Sequence, residues 1–442
     1  MGLEAGVTVQ TAEHAMDRLL QAHRISDDIL YARADANVVM RTVNDAFAKV
    51  SGYSISELVG MPHQALRDTQ TPRAVYNMLW GSLGAGQPAA TYLCSRTRSG
   101  DSHWVFAIVL PVNDGFISLQ LPPMAPIFKE IPEIYRDTVA REVDEGAEPD
   151  RNALVLRRVA LQHGFPSHDS FVACALMQEL AVRDVLKGAA TDPHLRALSE
   201  MNETLVQGMR DQVGLIRSFG ALQLIPNNMR IIASQLEPSG GPISAIAENY
   251  KASSMVISRR LQAYVGGDQG LCEVMARGLS RSLILTGCIR LLTEVWQRML
   301  SAPLPPEMVE VNRRNATDDI PHRRQILQAR SWEAERHLLE QVIPQLAGAA
   351  QQAIAETITA SARLGRASIE IRRHMLGLDT IRILGRVECC RMPDAGGLAE
   401  TIDQLDAFHA GIKSRLETII LMAETTGYAM EELQDTGHLY RR

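Results

Sequence analysis

Between positions 28 and 121 the chain alternates short strand-like segments with short helical ones. Residues 28–34 and 38–42 are rich in β-branched or aromatic side chains and flank Asp35-Ala36-Asn37, a sequence typical of a hairpin turn. Helical spacing follows at 44–50, 54–59 and 72–83, and strand-like alternation returns at 91–96, 103–112 and 116–121. This order predicts an α+β domain, in which an antiparallel sheet and small helices over one face enclose an apolar pocket.

After Pro126 the apolar positions recur at three- and four-residue steps, which predicts a mainly α-helical body. A helix over 193–237 has an apolar seam suited to bundle or coiled-coil packing, and only Pro226 interrupts it. The alternative is an ordinary amphipathic helix of a globular domain. The other predicted helices are 11–22, 127–143, 151–162, 170–186, 242–265, 271–300, a long region that ends at 392 with a kink at Pro344, and 398–436.

Two breaks rich in proline and glycine, at 238–242 and 393–397, separate pairs of long helices. Residues 381–384 echo residues 229–232, and Ile402 echoes Ile246. Chance similarity between helical sequences is the alternative, but the repeated break is what an internal duplication would leave. We therefore predict two long antiparallel hairpins, 193–237 with 242–264 and 345–392 with 398–436, that form a single-chain four-helix bundle with both turns at one end.

These patterns divide the chain into six parts. Pro122-Pro123 ends the last strand, and a glycine-rich linker at 266–270 follows the first hairpin. The predicted parts are a lead helix (1–24), the α+β domain (25–123), a helical connector (124–190), the first hairpin (191–265), a helical insert (266–343) and the second hairpin (344–442).

Composition narrows the classes of function. The 442 residues are 46% hydrophobic and 5% aromatic with a net charge of −6, which favours helices and argues against a nucleic-acid-binding surface. Met1 begins no signal peptide and no apolar run is long enough to cross a bilayer, so we predict a cytoplasmic protein without membrane insertion. The six cysteines lack metal-ligand spacing, and Glu and Asp lie at spacings expected of solvated helix faces. Without a phosphate loop or nucleophile motif, we predict no metal site and no catalytic residues.

A series of short motifs runs through the α+β domain in a fixed order. The motifs are Asn44-Asp45-Ala46-Phe47, Ser51-Gly52-Tyr53-Ser54, Glu57-Leu58-Val59-Gly60, Pro62-His63, Arg67, Pro72, Leu79-Trp80 and Gly100-Asp101 with Trp104-Val105. In that order the domain resembles PAS sensor domains, especially those of the aerotaxis-receptor type, and the resemblance covers roughly residues 28–122.

The PAS resemblance implies that Asn44, Arg67 and Trp80 are the candidate cofactor-binding residues of the pocket. In the aerotaxis type the segment after the arginine commonly reads His-Pro-Asp/Glu-Met-Pro and helps to hold FAD. Here residues 68–72 read DTQTP, so that histidine is absent. Three alternatives stay open: FAD, haem with His63 as its ligand, or an empty pocket in which Trp80 is a core residue, and FAD is favoured over haem.

Residues around the first break resemble the hairpin tip of the signalling domain of bacterial chemoreceptors (methyl-accepting chemotaxis proteins). The matching positions are Asn228, Ile231, Ala233, Gly240, Ile246, Ala247, Glu248 and Lys251. This tip is degenerate, because Ile232 and Gln235 replace an acidic residue and an arginine of the family, and Pro226 interrupts its helix. The resemblance implies a partner-binding tip formed by Asn228, Gln235, Glu237, Gly240, Gly241 and Glu248.

The two resemblances together imply a signal-transduction sensor. The PAS domain would detect a redox, oxygen or small-molecule cue and relay it through the 127–143 helix to the chemoreceptor-like bundle. In the chemoreceptor family the tip binds the chemotaxis histidine kinase and its coupling protein, which are therefore the expected partners, and a homodimer stays open. The alternatives are a PAS-containing scaffold protein with no chemotaxis role and a flavoprotein oxidoreductase.

Overall fold

The computed structural model describes residues 29–144, 156–157, 160, 165, 167–222, 224–235, 241–265, 270–301, 320–391 and 396–436. The predicted lead helix 11–22 and most of the predicted helix 151–162 lie outside these residues. The described residues fall into two compact units. The first draws on Met1–Arg196 and Ser280–Ala350, and the second on Ala197–Leu279 and Gln351–Arg442.

The strands and helices follow the predicted order closely. The strands are β1 (Leu30–Asp35), β2 (Met40–Val43), β3 (Ala89–Arg96), β4 (Ser102–Val112) and β5 (Gly115–Leu121). The helices beside the sheet are α1 (Asp45–Ser51), α2 (Ile55–Leu58), α3 (Arg73–Gly84), α4 (Ile131–Asp144) and α5 (His168–Lys187), with 3₁₀ turns at His63–Leu66 and Pro126–Glu130. The later helices are α6 (Pro193–Leu222), α7 (Ile225–Gln235), α8 (Gly241–Val265), α9 (Leu271–Ser301), α10 (Ile320–Cys390) and α11 (Gly396–Thr436).

The five strands form one antiparallel sheet in the order β2-β1-β5-β4-β3. Tyr31 lies opposite Leu119 and Cys94 lies opposite Trp104. Because side chains alternate along a strand, each strand sends one set to each face of the sheet. The predicted α+β domain, with small helices between β2 and β3, is confirmed, and so is the mainly helical body.

Both faces of this sheet are covered. The helices α1 to α3 and the His63–Leu66 turn lie over the inner face, whereas Phe128 of the second 3₁₀ turn contacts Tyr92 and Trp104 on the outer face. Helix α5 also reaches the outer face, because Glu179 accepts a hydrogen bond from the Tyr92 hydroxyl at 2.8 Å. Such two-sided burial explains why β5 and the middle of β4 are buried.

Charged side chains are buried between α5 and α9 in the first unit. Arg183 donates two hydrogen bonds of 2.7 Å to the Glu294 carboxylate, and Arg290 pairs with Asp184. The expectation that acidic residues lie on solvated helix faces is therefore wrong at Asp184, which is fully buried. Paired burial is the usual way in which proteins tolerate such charges.

The second unit brings four helices together near both breaks. A Cβ atom on Gly385 of α10 would lie 3.6 Å from Ile246 of α8, 3.8 Å from Met229 of α7 and 3.9 Å from Ile402 of α11. These residues flank the two proline- and glycine-rich segments, so both hairpins reverse at the same end of the unit, as the internal repeat predicts. A buried polar chain crosses the unit where Tyr250 contacts His409 Nε2 and His409 Nδ1 lies 2.8 Å from Asp379.

The predicted 193–237 helix is two helices in the structure. Helix α6 ends at Leu222 and α7 begins at Ile225, so Pro226 takes the second position of a new helix rather than an interior position. Proline fits the first turn of a helix, where its missing N–H has no intrahelical partner to lose. In contrast, Pro344 does lie inside α10.

Candidate ligand cavity and hairpin tip

The inner face of the sheet lines a cavity that is partly open to solvent. Its walls come from four strands, from α3 and from the His63–Leu66 turn. The lining residues are Ala32, Ala34, Val38, His63, Leu66, Arg67, Tyr76, Leu79, Trp80, Leu93, Ser95, Val109, Phe116 and Ser118.

Aromatic side chains form one end of this cavity. Trp80 of α3 and Phe116 of β5 meet edge to face, with ring centroids 5.3 Å apart. The Arg67 guanidinium carbon lies 4.0 Å from the centroid of the Tyr76 ring, in cation–π range. Helix α3, which carries Trp80 and Tyr76, is held at its first turn by α4, because the Glu142 carboxylate accepts hydrogen bonds from the Arg73 and Ala74 N–H groups at 2.9 and 3.0 Å.

A second, smaller cavity adjoins the first, and polar residue types form a larger share of its lining. It shares His63, Leu66 and Ser95 with the first cavity, and Ser51, His103 and Gln120 add further polar groups. His63 Nε2 and His103 Nδ1 are enclosed and have no hydrogen-bond partner among the described residues. Burial lowers the pKa of His63 to about 4 and lowers that of His103 as well, so both imidazoles are neutral at pH 7.

Two of the three predicted cofactor residues line the cavity and one does not. Arg67 and Trp80 both lie in its wall. Asn44 instead caps α1: its Oδ1 accepts from the Phe47 and Tyr31 N–H groups at 3.0 Å, and its Nδ2 donates to the Ile29 carbonyl at 2.7 Å. Its amide therefore joins β1 to the start of α1.

Sequence reasoning missed the polar wall of strand residues that accompanies His63. Ser118 and Gln120 alternate with apolar residues along β5, a pattern that reads as a solvated face, yet both are buried and face the cavities. His103 was overlooked for the same reason. The available signal was that the opposite face of each strand is also strongly apolar, which predicts cover on both sides.

Two buried glutamates fasten the outer face of the sheet to the helical body. Glu335 of α10 accepts hydrogen bonds from the Tyr31 hydroxyl at 2.6 Å, Arg33 Nη1 at 2.8 Å and the Thr42 hydroxyl at 2.9 Å. Glu179 of α5 accepts from the Tyr92 hydroxyl and from the backbone N–H groups of Met124 and Ala125 at 2.7 and 3.0 Å.

Neither of these glutamates lies on the solvated face that their helical spacing suggests, because both are buried. Burial raises the pKa of Glu179, and its hydrogen-bond donors oppose that rise. Burial and the neighbouring Glu335 carboxylate likewise hold the pKa of Tyr31 well above its usual value. The phenol therefore stays protonated and donates a hydrogen bond to Glu335. Each glutamate therefore accepts a hydrogen bond from a tyrosine hydroxyl of the sheet.

The predicted tip residues that the structure describes lie on the surface of the second unit. Asn228, Gln235, Gly241 and Glu248 are exposed, and Glu248 pairs with Arg230 across the hairpin at 3.2 Å. Glu237 and Gly240 lie outside the described residues. Ile231 and Ile383, which occupy corresponding positions of the internal repeat, are exposed as well.

No protein-family model matches the chain. It is 36% identical over 93 residues to the aerotaxis receptor of Escherichia coli K12, covering 21% of this chain and 18% of that protein. It is 32% identical over 78 residues to a nitrogen fixation regulatory protein of Klebsiella pneumoniae, covering 18% and 16%. The PAS domain structure from Colwellia psychrerythraea aligns with 24% of this chain and 96% of its own at a TM-score of 0.21 and 12% identity. The chain thus spans less than a quarter of the length of the aerotaxis receptor and of the nitrogen fixation regulatory protein.

The motifs, the strand order and the aerotaxis-receptor similarity together identify the N-terminal domain as a PAS sensor domain. Among the described residues, no helix combines the length and apolar character needed to span a membrane. Within the same residues, no group of three or more His, Cys, Asp or Glu side chains is placed to hold a metal ion.

Proposed function

We propose that this chain is a cytoplasmic sensor without catalytic activity, in which a flavin, FAD by preference, binds in the PAS cavity and the helical body passes its state to signalling partners. One observation carries the proposal: along the same strand, one residue lines the cavity and the next forms a hydrogen bond with a helix of the helical body. Leu30 and Ala32 of β1 line the cavities, whereas Tyr31 between them donates to Glu335 of α10.

The cavity residues fit a flavin. A planar ring system needs apolar or aromatic walls and a few convergent polar groups, and the two cavities supply Trp80 and Phe116 at one end and the enclosed nitrogens of His63 and His103 at the other. Arg67 stands in the wall as a cation suited to a phosphate or to a ring edge. A bound flavin would supply a redox couple, and hence a cue that reports electron flow or oxygen.

The relay follows from the two-residue period of the sheet. On β3, Leu93 and Ser95 line the cavity while Tyr92 donates to Glu179 of α5. Each of these tyrosines is the sequence neighbour of a cavity-lining residue. A displacement of β1 or β3 by the ligand therefore moves the buried phenol of that tyrosine relative to the buried carboxylate that it contacts. Such packed contacts change between discrete arrangements rather than deform continuously, which makes them suitable for signalling.

The partners we propose are a chemotaxis histidine kinase and its coupling protein, which would bind the hairpin tip. Support comes from the tip resemblance, from the meeting of four helices beside both breaks and from the exposed Asn228, Gln235 and Glu248. Helix α10 supplies Glu335 to the first unit and Gly385 to the four-helix layer of the second, so one continuous helix contains both ends of the relay.

A binding assay with the full chain tests this function. Immobilised protein, with its flavin oxidised or reduced, is incubated with the kinase and the coupling protein. We expect retention that differs between the two states and that Glu248→Arg weakens, because the reversed charge repels Arg230 and alters the tip. The exposed Glu133→Arg on α4, in the other unit, is the matched control. If neither the kinase nor the coupling protein is retained in either redox state, the chemotaxis assignment is wrong and the scaffold alternative is left.

A further inference from the structure

We propose that His63 and His103 bind the hydrogen-bonding edge of a planar heteroaromatic ligand, an edge on which N–H and C=O groups alternate, as in the pyrimidine ring of a flavin. The proposal rests on the cofactor-binding function of the same cavity and assigns the direction in which the ligand enters it. The polar edge would lie in the smaller cavity and the apolar rings would lie against the Trp80 and Phe116 pair in the larger one.

The first observation is the pair of unpartnered nitrogens. His63 Nε2 and His103 Nδ1 both belong to side chains that line the smaller cavity, and neither has a hydrogen-bond partner among the described residues. Buried polar atoms in folded proteins are almost always hydrogen-bonded, so each exception indicates a missing partner. Two such exceptions on one cavity point to an occupant with polar groups at that end.

The second observation is the protonation state of the two rings. Burial lowers the pKa of both histidines, and Arg67 lowers that of His63 further. A neutral imidazole has one N–H donor and one acceptor nitrogen. Two neutral histidines can therefore match an edge that offers both donors and acceptors, whereas two cationic histidines could only donate.

The third observation is how polar groups are distributed over the inner face. Ser95, Ser118 and Gln120 join the histidines towards one end, and Gln120 Nε2 donates to the Ser118 hydroxyl at 3.2 Å. The other end has Trp80, Phe116 and aliphatic side chains. A ligand that is polar along one edge and apolar elsewhere satisfies both ends, which a wholly apolar ligand would not.

The test is a binding titration of the full chain. Wild-type protein and its variants are titrated with FAD and with FAD methylated at the ring N–H of the pyrimidine edge, and quenching of flavin fluorescence gives each Kd. We expect His63→Phe and His103→Phe each to weaken FAD binding about fivefold to tenfold, the size of one neutral hydrogen bond. His63→Gln and His103→Gln, which keep a donor and an acceptor, should recover part of the loss. His337→Phe, an exposed histidine of α10, is the control and should bind as the wild type does.

The methylated ligand separates this inference from the proposed function. We expect it to bind the wild type about fivefold to tenfold more weakly than FAD, and to bind no more weakly than FAD to whichever phenylalanine variant has lost its partner. If FAD binds tightly but the histidine variants and the methylated ligand match the wild type with FAD, the inference is overturned and the flavin sensor stands. If the wild-type chain binds neither ligand, the inference and the flavin part of the proposed function both fail.

Discussion

Replacing Glu335 by alanine should destabilise the first unit strongly, because this carboxylate is the acceptor for the outer face of the sheet. The change removes three hydrogen bonds, from Tyr31, Arg33 and Thr42. Arg33 keeps Asp114 as a second partner, but the buried Tyr31 hydroxyl loses the acceptor that it contacts at 2.6 Å. Removing one member of a buried charged pair costs about 3 to 5 kcal/mol, and we expect a loss in that range.

The tryptophans make this loss measurable in the first unit alone. All four fall within its two segments: Trp80, Trp104, Trp296 and Trp332. Urea unfolding followed by tryptophan fluorescence therefore reports on that unit. With a slope of about 2 to 3 kcal/mol/M, a loss of about 3 to 5 kcal/mol lowers the midpoint by about 1 to 2.5 M.

Two further variants complete the experiment on Glu335. Glu335→Gln keeps the shape and one acceptor oxygen but removes the charge, so we expect a smaller loss of about 1 to 2 kcal/mol. Glu340→Ala, five residues along α10 at a site in contact with His337, should change stability by less than about 0.5 kcal/mol. Equal midpoints for Glu335→Ala and Glu340→Ala would refute the role given to Glu335.

Three other predictions concern single sites. Gly115→Ala should cost about 2 kcal/mol or more of unfolding free energy in the same fluorescence assay, because φ is 153° there and a Cβ would lie 2.1 Å from the Ala34 carbonyl oxygen. Its control is Gly84→Ala, which has open space around it and should be neutral or slightly stabilising. Glu294→Ala should cost about 3 to 5 kcal/mol in that assay, because it leaves the Arg183 guanidinium buried without its bidentate partner. Burial lowers the folded-state pKa of His409, so its contribution to stability is complete above about pH 6.5 and falls away below that pH. The protection factors of 400–420, which correct for the pH dependence of intrinsic amide exchange, should therefore fall between pH 7 and 5.5 in wild-type protein and less so in His409→Gln.

The sheet could be predicted from sequence because its information is local. Alternation, the turn at 35–37 and the break at Pro122-Pro123 place all five strands within about two residues of their observed bounds. Arg67 and Trp80 could also be placed at the cavity, because the PAS motifs assign their positions in the sequence order. The Asn44 assignment remains a prediction, although the structure gives its side chain a capping role.

The buried glutamates could not be predicted, because their partners are distant in sequence. Glu335 and Tyr31 are separated by 304 positions, and nothing near Glu335 distinguishes it from the exposed Glu333 and Glu340 on the same helix. A charged residue on an amphipathic helix is normally solvated, so its periodicity alone points away from burial. Only the covered outer face of the sheet, a long-range feature, places a phenol where Glu335 can accept from it.

The polar end of the cavity was missed for a related reason. On β5, Ser118 and Gln120 alternate with Ile117 and Leu119, which is the pattern of a strand with one solvent-exposed face. In the structure the polar side faces an enclosed cavity instead of solvent. Polar residues on a covered face of the sheet can therefore line an internal cavity, a distinction that requires the tertiary structure.

Hydrogen exchange of the full chain in two redox states tests the central claim most directly, since it follows the sheet and α10 at once. The protein with oxidised flavin and the protein after chemical reduction are compared by mass spectrometry, with the absorption spectrum confirming each state. We predict that exchange changes in 30–35, which contains Tyr31, and in 332–340, which contains Glu335, while 85–88 in the loop after α3 stays constant. A complete spectral change with identical exchange in 30–35 and 332–340 would contradict the proposed relay.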